Sequence, residues 1–217
     1  MANTNSPFGL RPIRYRGGSP YNGASTPYYV PSTYATALFI GDPVVRTGTA
    51  NTAAVEVPGG GTFGIGTIAE INKTVVGDVD GDTKRITGAI VGFSPLPTNL
   101  EVKHNPASTE RVVYVADDPG LEFEIQADGA IPAASIGLNA VLIATQSGST
   151  VTGLSGIELD TTSDVPAADA SNQLLILRAV NRADNDTTIT RAKVIVAINC
   201  HTESANNTTA AEGTLGI

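Results

Sequence analysis

Tryptophan is absent from the 217 residues, cysteine occurs once, at Cys200, and methionine once, at the start. One cysteine allows neither an intrachain disulfide nor a cysteine metal cluster, so stability has to come from packing or assembly. Charge is also scarce, at 16% of the chain against roughly 25% in an average globular protein. Thr, Ser and Asn must then supply much of the surface polarity, which suits β-structure better than a helical enzyme. No apolar run approaches the ~20 residues of a membrane helix. The opening MANTNSPFGL lacks the hydrophobic stretch of a secretory signal, so the Asn-x-Thr triplets at Asn72, Asn185, Asn206 and Asn207 read as chance in a Thr-rich chain.

Acid is missing from the front. Arg11, Arg14 and Arg16 precede the first carboxylate, Asp42, so the leader carries +3 within a chain of net charge -8. Seven of the eleven aromatic residues also fall before residue 40: Phe8, Tyr15, Tyr21, Tyr28, Tyr29, Tyr34 and Phe39. Pro7, Pro12, Pro20, Pro27 and Pro31 recur through the same stretch, each fixing its own φ and pushing its predecessor towards extended geometry. Gly17-Gly18 and Asn22-Gly23 are turn signals. An extended, aromatic and basic leader needs a surface to bury against, and an acidic protein surface suits it better than nucleic acid. Three charges are a weak footprint for phosphate, and the rest of the chain repels it.

What is present from residue 37 onwards is β-pattern. The hydrophobic content of 41% supports a packed core. ALFIGDPVVR (37–46), FGIGTIAEI (63–71), RITGAIVGF (85–93), RVVYVA (111–116), AVLIAT (140–145) and SGIELD (155–160) read as strands. LEFEIQAD (121–128) alternates strictly and predicts a half-buried strand, with Glu122, Glu124, Gln126 and Asp128 facing solvent. QLLILRAV (173–180) and AKVIVAIN (192–199) are apolar on both faces and predict central strands. IPAASIG (131–137) offers at most a helical turn. The expectation is an all-β fold, a jelly-roll-like sandwich or barrel of about nine strands. Its divisions are an extended docking arm over 1–36, a body over 37–201 and a polar tail over 202–217. Removing residues 1–31 is expected to leave a folded body.

Candidate chemistry is sparse. Asp78, Asp80 and Asp82 in GDVDGDTKR follow calcium-loop spacing, but Thr83 stands where glycine is required and Ala89 where glutamate is. A hairpin turn is the better reading. GGGTFGIG (59–66) lacks phosphate-loop spacing and reads as a loop entering a strand. Cys200 and His201 are strand neighbours that point apart, so they form no dyad, and His104 sits in a polar loop. Glu122 and Glu124 share a face at about the separation of a glycosidase pair, which is also ordinary for a solvent-facing strand. No cofactor or metal site is expected.

The phrases PFGLRPIRYRGGSPYNGASTPYYVP, ALFIGDPVV, IVGFSPLPTNL, VVYVADDPGLEFEIQADG and LRAVNRADNDTTITRAKVIVAINCH occur in that order and cover most of the chain. Together they resemble the head decoration, or cement, proteins of tailed double-stranded DNA bacteriophages. The resemblance implies a non-enzymatic protein made in the bacterial cytoplasm and placed on the capsid exterior. Its partners would be the major capsid protein and copies of itself, as homodimer or homotrimer, without nucleic acid or membrane. Phe8, Tyr15, Tyr21, Tyr28 and Tyr29 would be apolar anchors, and Arg11, Arg14 and Arg16 would pair with carboxylates on the neighbour. The rival expectations are another virion component, such as a tail, fibre or minor capsid protein, and a carbohydrate-binding or glycosidase β-sandwich using Glu122, Glu124 and exposed tyrosines.

Overall fold

Alternation along LEFEIQ turns Leu121, Phe123 and Ile125 to one face and Glu122, Glu124 and Gln126 to the other. In the computed structural model, which describes residues 3–74, 85–143 and 147–203, this segment is β9 (Leu121–Gln126), the second strand of a five-stranded antiparallel sheet. The order runs β1 (Arg11–Tyr15), β9, β14 (Lys193–Ile198), β13 (Leu174–Ala179) and β10 (Asn139–Ala140). The two strands apolar on both faces, β13 and β14, hold interior places in it. Phe123, Ile125, Val194, Val196, Leu174 and Ile176 form its core face and are all fully buried.

The second unit is a closed barrel of β2 (Thr26–Val30), β6 (Ala69–Lys73), β3 (Pro43–Ala50), β7 (Gly88–Phe93) and β8 (Arg111–Ala116). Tyr28, Val30, Val44, Ile71, Ile90, Val113 and Val115 fill it. The next tyrosine points outward, where Tyr29 packs with Val112 under the hairpin β4 (Val55–Val57) and β5 (Gly61–Phe63). A second small pair joins β11 (Leu142–Ile143) to β12 (Glu158–Leu159). Ile86, Ala89 and Ala116 from the barrel side belong to the same core cluster as the large sheet. Barrel and sheet are thus packed through shared apolar contacts.

The all-β expectation holds. Among the described residues the single helical feature is the 3-10 turn Ala133–Ser135, inside IPAASIG, and no helix is long and apolar enough to cross a membrane. Three finer expectations need correction. Fourteen strands are present among the described residues, rather than nine, because β1, β2, β4 and β5 form in segments dense in Pro and Gly, and 140–145 contributes to two short strands. Of the expected sandwich or barrel, a closed five-stranded barrel is present beside a five-stranded sheet, and the pair is unlike the two packed sheets of an eight-stranded jelly roll. The leader is no detached arm over 1–36, since it supplies β1 to the sheet and β2 to the barrel, and Leu10, Tyr28 and Val30 are core residues. The aspartates of GDVDGDTKR and the tail from residue 204 lie outside the described residues.

Two glycines explain how the leader is seated. Gly9 (φ +69) and Gly41 (φ +91) approach so closely that a Cβ on Gly9 would sit 2.2 Å from the Gly41 carbonyl oxygen. One on Gly41 would sit 2.0 Å from that of Phe8. Only glycine allows this contact and these φ values. Leu10 N–H then donates to the Gly41 carbonyl at 2.8 Å, and Gly41 N–H to that of Ile90 at 2.8 Å. Next to the junction lies Asp42, fully buried, accepting from Ser155 Oγ at 2.6 Å and Phe39 N–H at 2.9 Å, with Lys73 Nζ at 3.0 Å. The motifs PFGL and FIGDP are two halves of one lock.

Candidate functional site

The polar face of the large sheet carries an array of ion-paired side chains. Glu122 and Glu124 were expected to face water, yet they are 4% and 5% exposed. Each lies beneath two arginines. Glu122 accepts from Arg14 Nε at 2.7 Å and from Arg178 Nη2. Glu124 accepts from Arg11 Nη2 at 2.6 Å and Arg182 Nη2 at 2.7 Å. Four arginine side chains, 36–53% exposed, thus cover two carboxylates. Further along the face, Gln126 Nε2 donates to Glu158 Oε1 at 2.7 Å, and Arg191 Nη1 reaches both Glu158 oxygens at 2.8 and 2.9 Å.

Register explains how these residues meet. Arg11 pairs with Glu124 and Pro12 with Phe123, after which the β1–β9 ladder slips so that Arg14 pairs with Glu122. Strict alternation would send Arg14 to the same side as Pro12, the core side. The bulge at Ile13 turns it outward. The same device operates in β13. Ile176 pairs with Val196 on the core face, and a slip then places Arg178 opposite Ile195, whose other neighbour is Glu124. Two bulges therefore aim two arginines at one carboxylate.

The electrostatics follow from this packing. Burial alone would raise the Glu122 carboxyl, but hydrogen bonds from Arg178 and Arg14 outweigh it and hold the group below the ordinary carboxylate range. The hydrogen bond to Glu122 raises Arg14 in turn. A glycosidase needs one carboxyl kept protonated to act as acid, and an arginine-clamped pair opposes that role. What the array does offer is fixed guanidinium groups. Each has five donors, its position is set by the carboxylate beneath, and four arginines over two glutamates leave a surplus of two positive charges on this acidic chain.

The other predicted residues divide. Phe8 is half-buried with the Arg11 guanidinium 4.7 Å above its ring. Tyr15 and Tyr21 stand 6.5 Å apart, tilted, and pack against the large core. Arg16 is exposed, and its N–H donates to the Gly120 carbonyl. Tyr28 and Tyr29 are corrected from partner anchors to core residues, at 1% and 9% exposed. Tyr28 Oη donates to Asp117 Oδ2 at 2.8 Å and accepts from Arg46 Nη2 at 2.7 Å. The carboxylates expected on a neighbour for Arg11 and Arg14 are supplied by this chain. Arg178, Arg182, Glu158 and Arg191 were not foreseen, although arginines interrupting the apolar run of 173–182 were a visible signal.

The leader's remaining contacts are also internal. Asn3 Nδ2 donates to the carbonyls of Asp186 and Thr190 at 2.8 and 3.0 Å, and Ser6 N–H donates to Gln126 Oε1 at 3.1 Å. The outer edge of β1 is covered by Ser19–Tyr21, and that of β10 by Ala167, which guards both sheet edges against further pairing. Elsewhere, buried Cys200 turns its Sγ towards the carbonyls of Ala170 to Asn172, while His201 Nδ1 accepts from Glu203 N–H. His104 stacks on Phe39 at 5.1 Å. Among the described residues no three His, Cys, Asp or Glu side chains group as a metal site. Comparison of the chain with protein-family models, curated proteins and solved structures gives no match.

Proposed function

We propose that this chain is a non-enzymatic decoration protein of a tailed double-stranded DNA phage head, bound to the capsid exterior and steadying contacts between capsomers. The observation that carries the reading is the arginine face: four guanidinium groups fixed over buried glutamates on a chain of net charge -8. Long-range charge would keep such a chain off an acidic partner. A local, preorganised cationic patch provides attraction in one orientation, and arginine holds carboxylates in a defined fork geometry. The ordered resemblance of the sequence to cement proteins supports the same reading. The docking element is the sheet face, with Arg11, Arg14 and the exposed Arg16 contributed by the leader. The partners are the major capsid protein and further copies of the chain.

The test is to add purified protein to heads assembled without it, from the phage that encodes it, and to sediment the mixture. Saturable binding at a stoichiometry set by the icosahedral lattice supports the proposal. Absence of binding, or a few copies at one vertex, overturns it.

A further inference from the structure

At Arg11 the arginine face runs into an apolar cleft of about 430 Å³ between the leader and the barrel. The cleft lies within the roughly 300–1,000 Å³ range of ligand sites. Phe8, Pro12, Tyr21, Val91 and Leu154 line it, and the fully buried Leu10 and Ile90 reach its floor. Among the described residues that line it, the charged side chain is Arg11, which also clamps Glu124 and covers Phe8. One residue thus belongs to both the cationic face and the cleft.

We infer that face and cleft together bind one extended acidic segment of a partner protein, which lays alternate carboxylates on the arginines and one large apolar side chain in the cleft. Glu122 and Glu124 are two residues apart on a strand, so their arginine pairs recur about every 7 Å. Same-side residues of an extended segment recur at that interval. The surplus of positive charge matches carboxylates, and the apolar lining matches a large aliphatic or aromatic anchor seated in a pocket. A phosphate backbone has a similar repeat. It fits less well because what it offers the cleft is bases with polar edges, whereas the cleft lining is mostly apolar.

This inference rests on the arginine face being the docking surface, and its test uses the full chain with labelled probes read by fluorescence anisotropy. The probes are a short peptide of alternating glutamates with one central leucine, the same peptide with serine at the centre, a lysine counterpart, and an oligothymidylate of equal charge. The leucine peptide should bind, the serine peptide about tenfold or more weakly, and the lysine peptide not at all. Leu154→Asn should weaken the leucine peptide and leave the serine peptide unchanged. The near-isosteric Val91→Thr, checked for native circular dichroism, should act in the same direction. Equal binding of leucine and serine peptides, or tighter binding of the oligothymidylate, overturns the inference. If heads bind but the leucine peptide does not, this inference fails alone. If the peptide binds but heads do not, the capsid reading fails and the inference stands.

Discussion

Arg14 Nε donates to Glu122 Oε2 at 2.7 Å across the β1–β9 ladder, and a one-residue bulge aims it there. Arg178 arrives at the same carboxylate from the opposite side of β9 by a second bulge. Removing either arginine leaves the other in place, whereas removing both strands a buried charge. Arg14→Ala and Arg178→Ala should each lower stability only modestly, since both side chains are partly in water. The double variant should lose clearly more than the two single losses combined. A double-mutant cycle by urea denaturation checks this, and strictly additive losses would show that Glu122 is not shared.

Removing residues 1–31 should abolish folding rather than free a stable body. The cut takes β1 from the sheet, β2 from the closed barrel, and Leu10, Tyr28 and Val30 from the core. An open barrel exposes the edges of β6 and β8. The truncated chain should therefore aggregate or lack a cooperative thermal transition in calorimetry. A soluble product with a sharp transition would restore the detachable arm.

Acid should weaken the fold in two stages. Burial pushes the His201 imidazole below its ordinary value of 6.5, against the opposing pull of Glu203 and nearby backbone, and His104 shifts the same way through burial and Arg111. The unfolded chain then takes up these protons first, so their contribution is intact above about pH 6.5 and declines below it. The depressed Glu122 carboxyl contributes above its ordinary value of 4.5, and that contribution is lost as pH falls through its lower folded value. Urea midpoints measured from neutral to acid pH should fall in both windows. His201→Gln should flatten the first, and an unchanged slope there would contradict the assignment to His201.

Alkali acts through Tyr28. Burial raises its hydroxyl most, the Arg46 hydrogen bond opposes this, and Asp117 adds to the rise, leaving it pushed up to about 12 from 10.0. Its stabilising contribution is complete below the ordinary value and is lost as pH rises towards the folded one. Tyrosinate absorbance should show a late-titrating group in the native protein, and Tyr28→Phe should remove it. Complete ionisation at the ordinary pH without unfolding would contradict the buried position.

Parts of this architecture were legible in the sequence because they depend on local pattern. The alternation of 121–126 and the doubly apolar runs of 173–180 and 192–199 named three strands of the sheet, two of them central. Proline and glycine density in the leader predicts a detached strap, whereas the structure builds the leader into the sheet and the barrel. Pro12 is tolerated in an edge strand, and Gly9 is required by contact with Gly41, thirty-two residues away. The basic and aromatic bias of the leader is plain in the sequence, but its carboxylates and much of its apolar partner surface lie in the same chain. The arginine face was hidden because Arg14 and Arg178 reach it through bulges, and a bulge reverses the side that period-two counting assigns.

The central claim is tested most directly by sedimenting heads that lack this protein with wild-type chain and with the Arg11→Gln/Arg14→Gln double variant. Native circular dichroism of the variant should be confirmed first. The account predicts that wild type saturates the heads and that the double variant binds about tenfold or more weakly, with the wild-type complex weakening as salt rises. Equal, salt-independent binding of a folded double variant would contradict it.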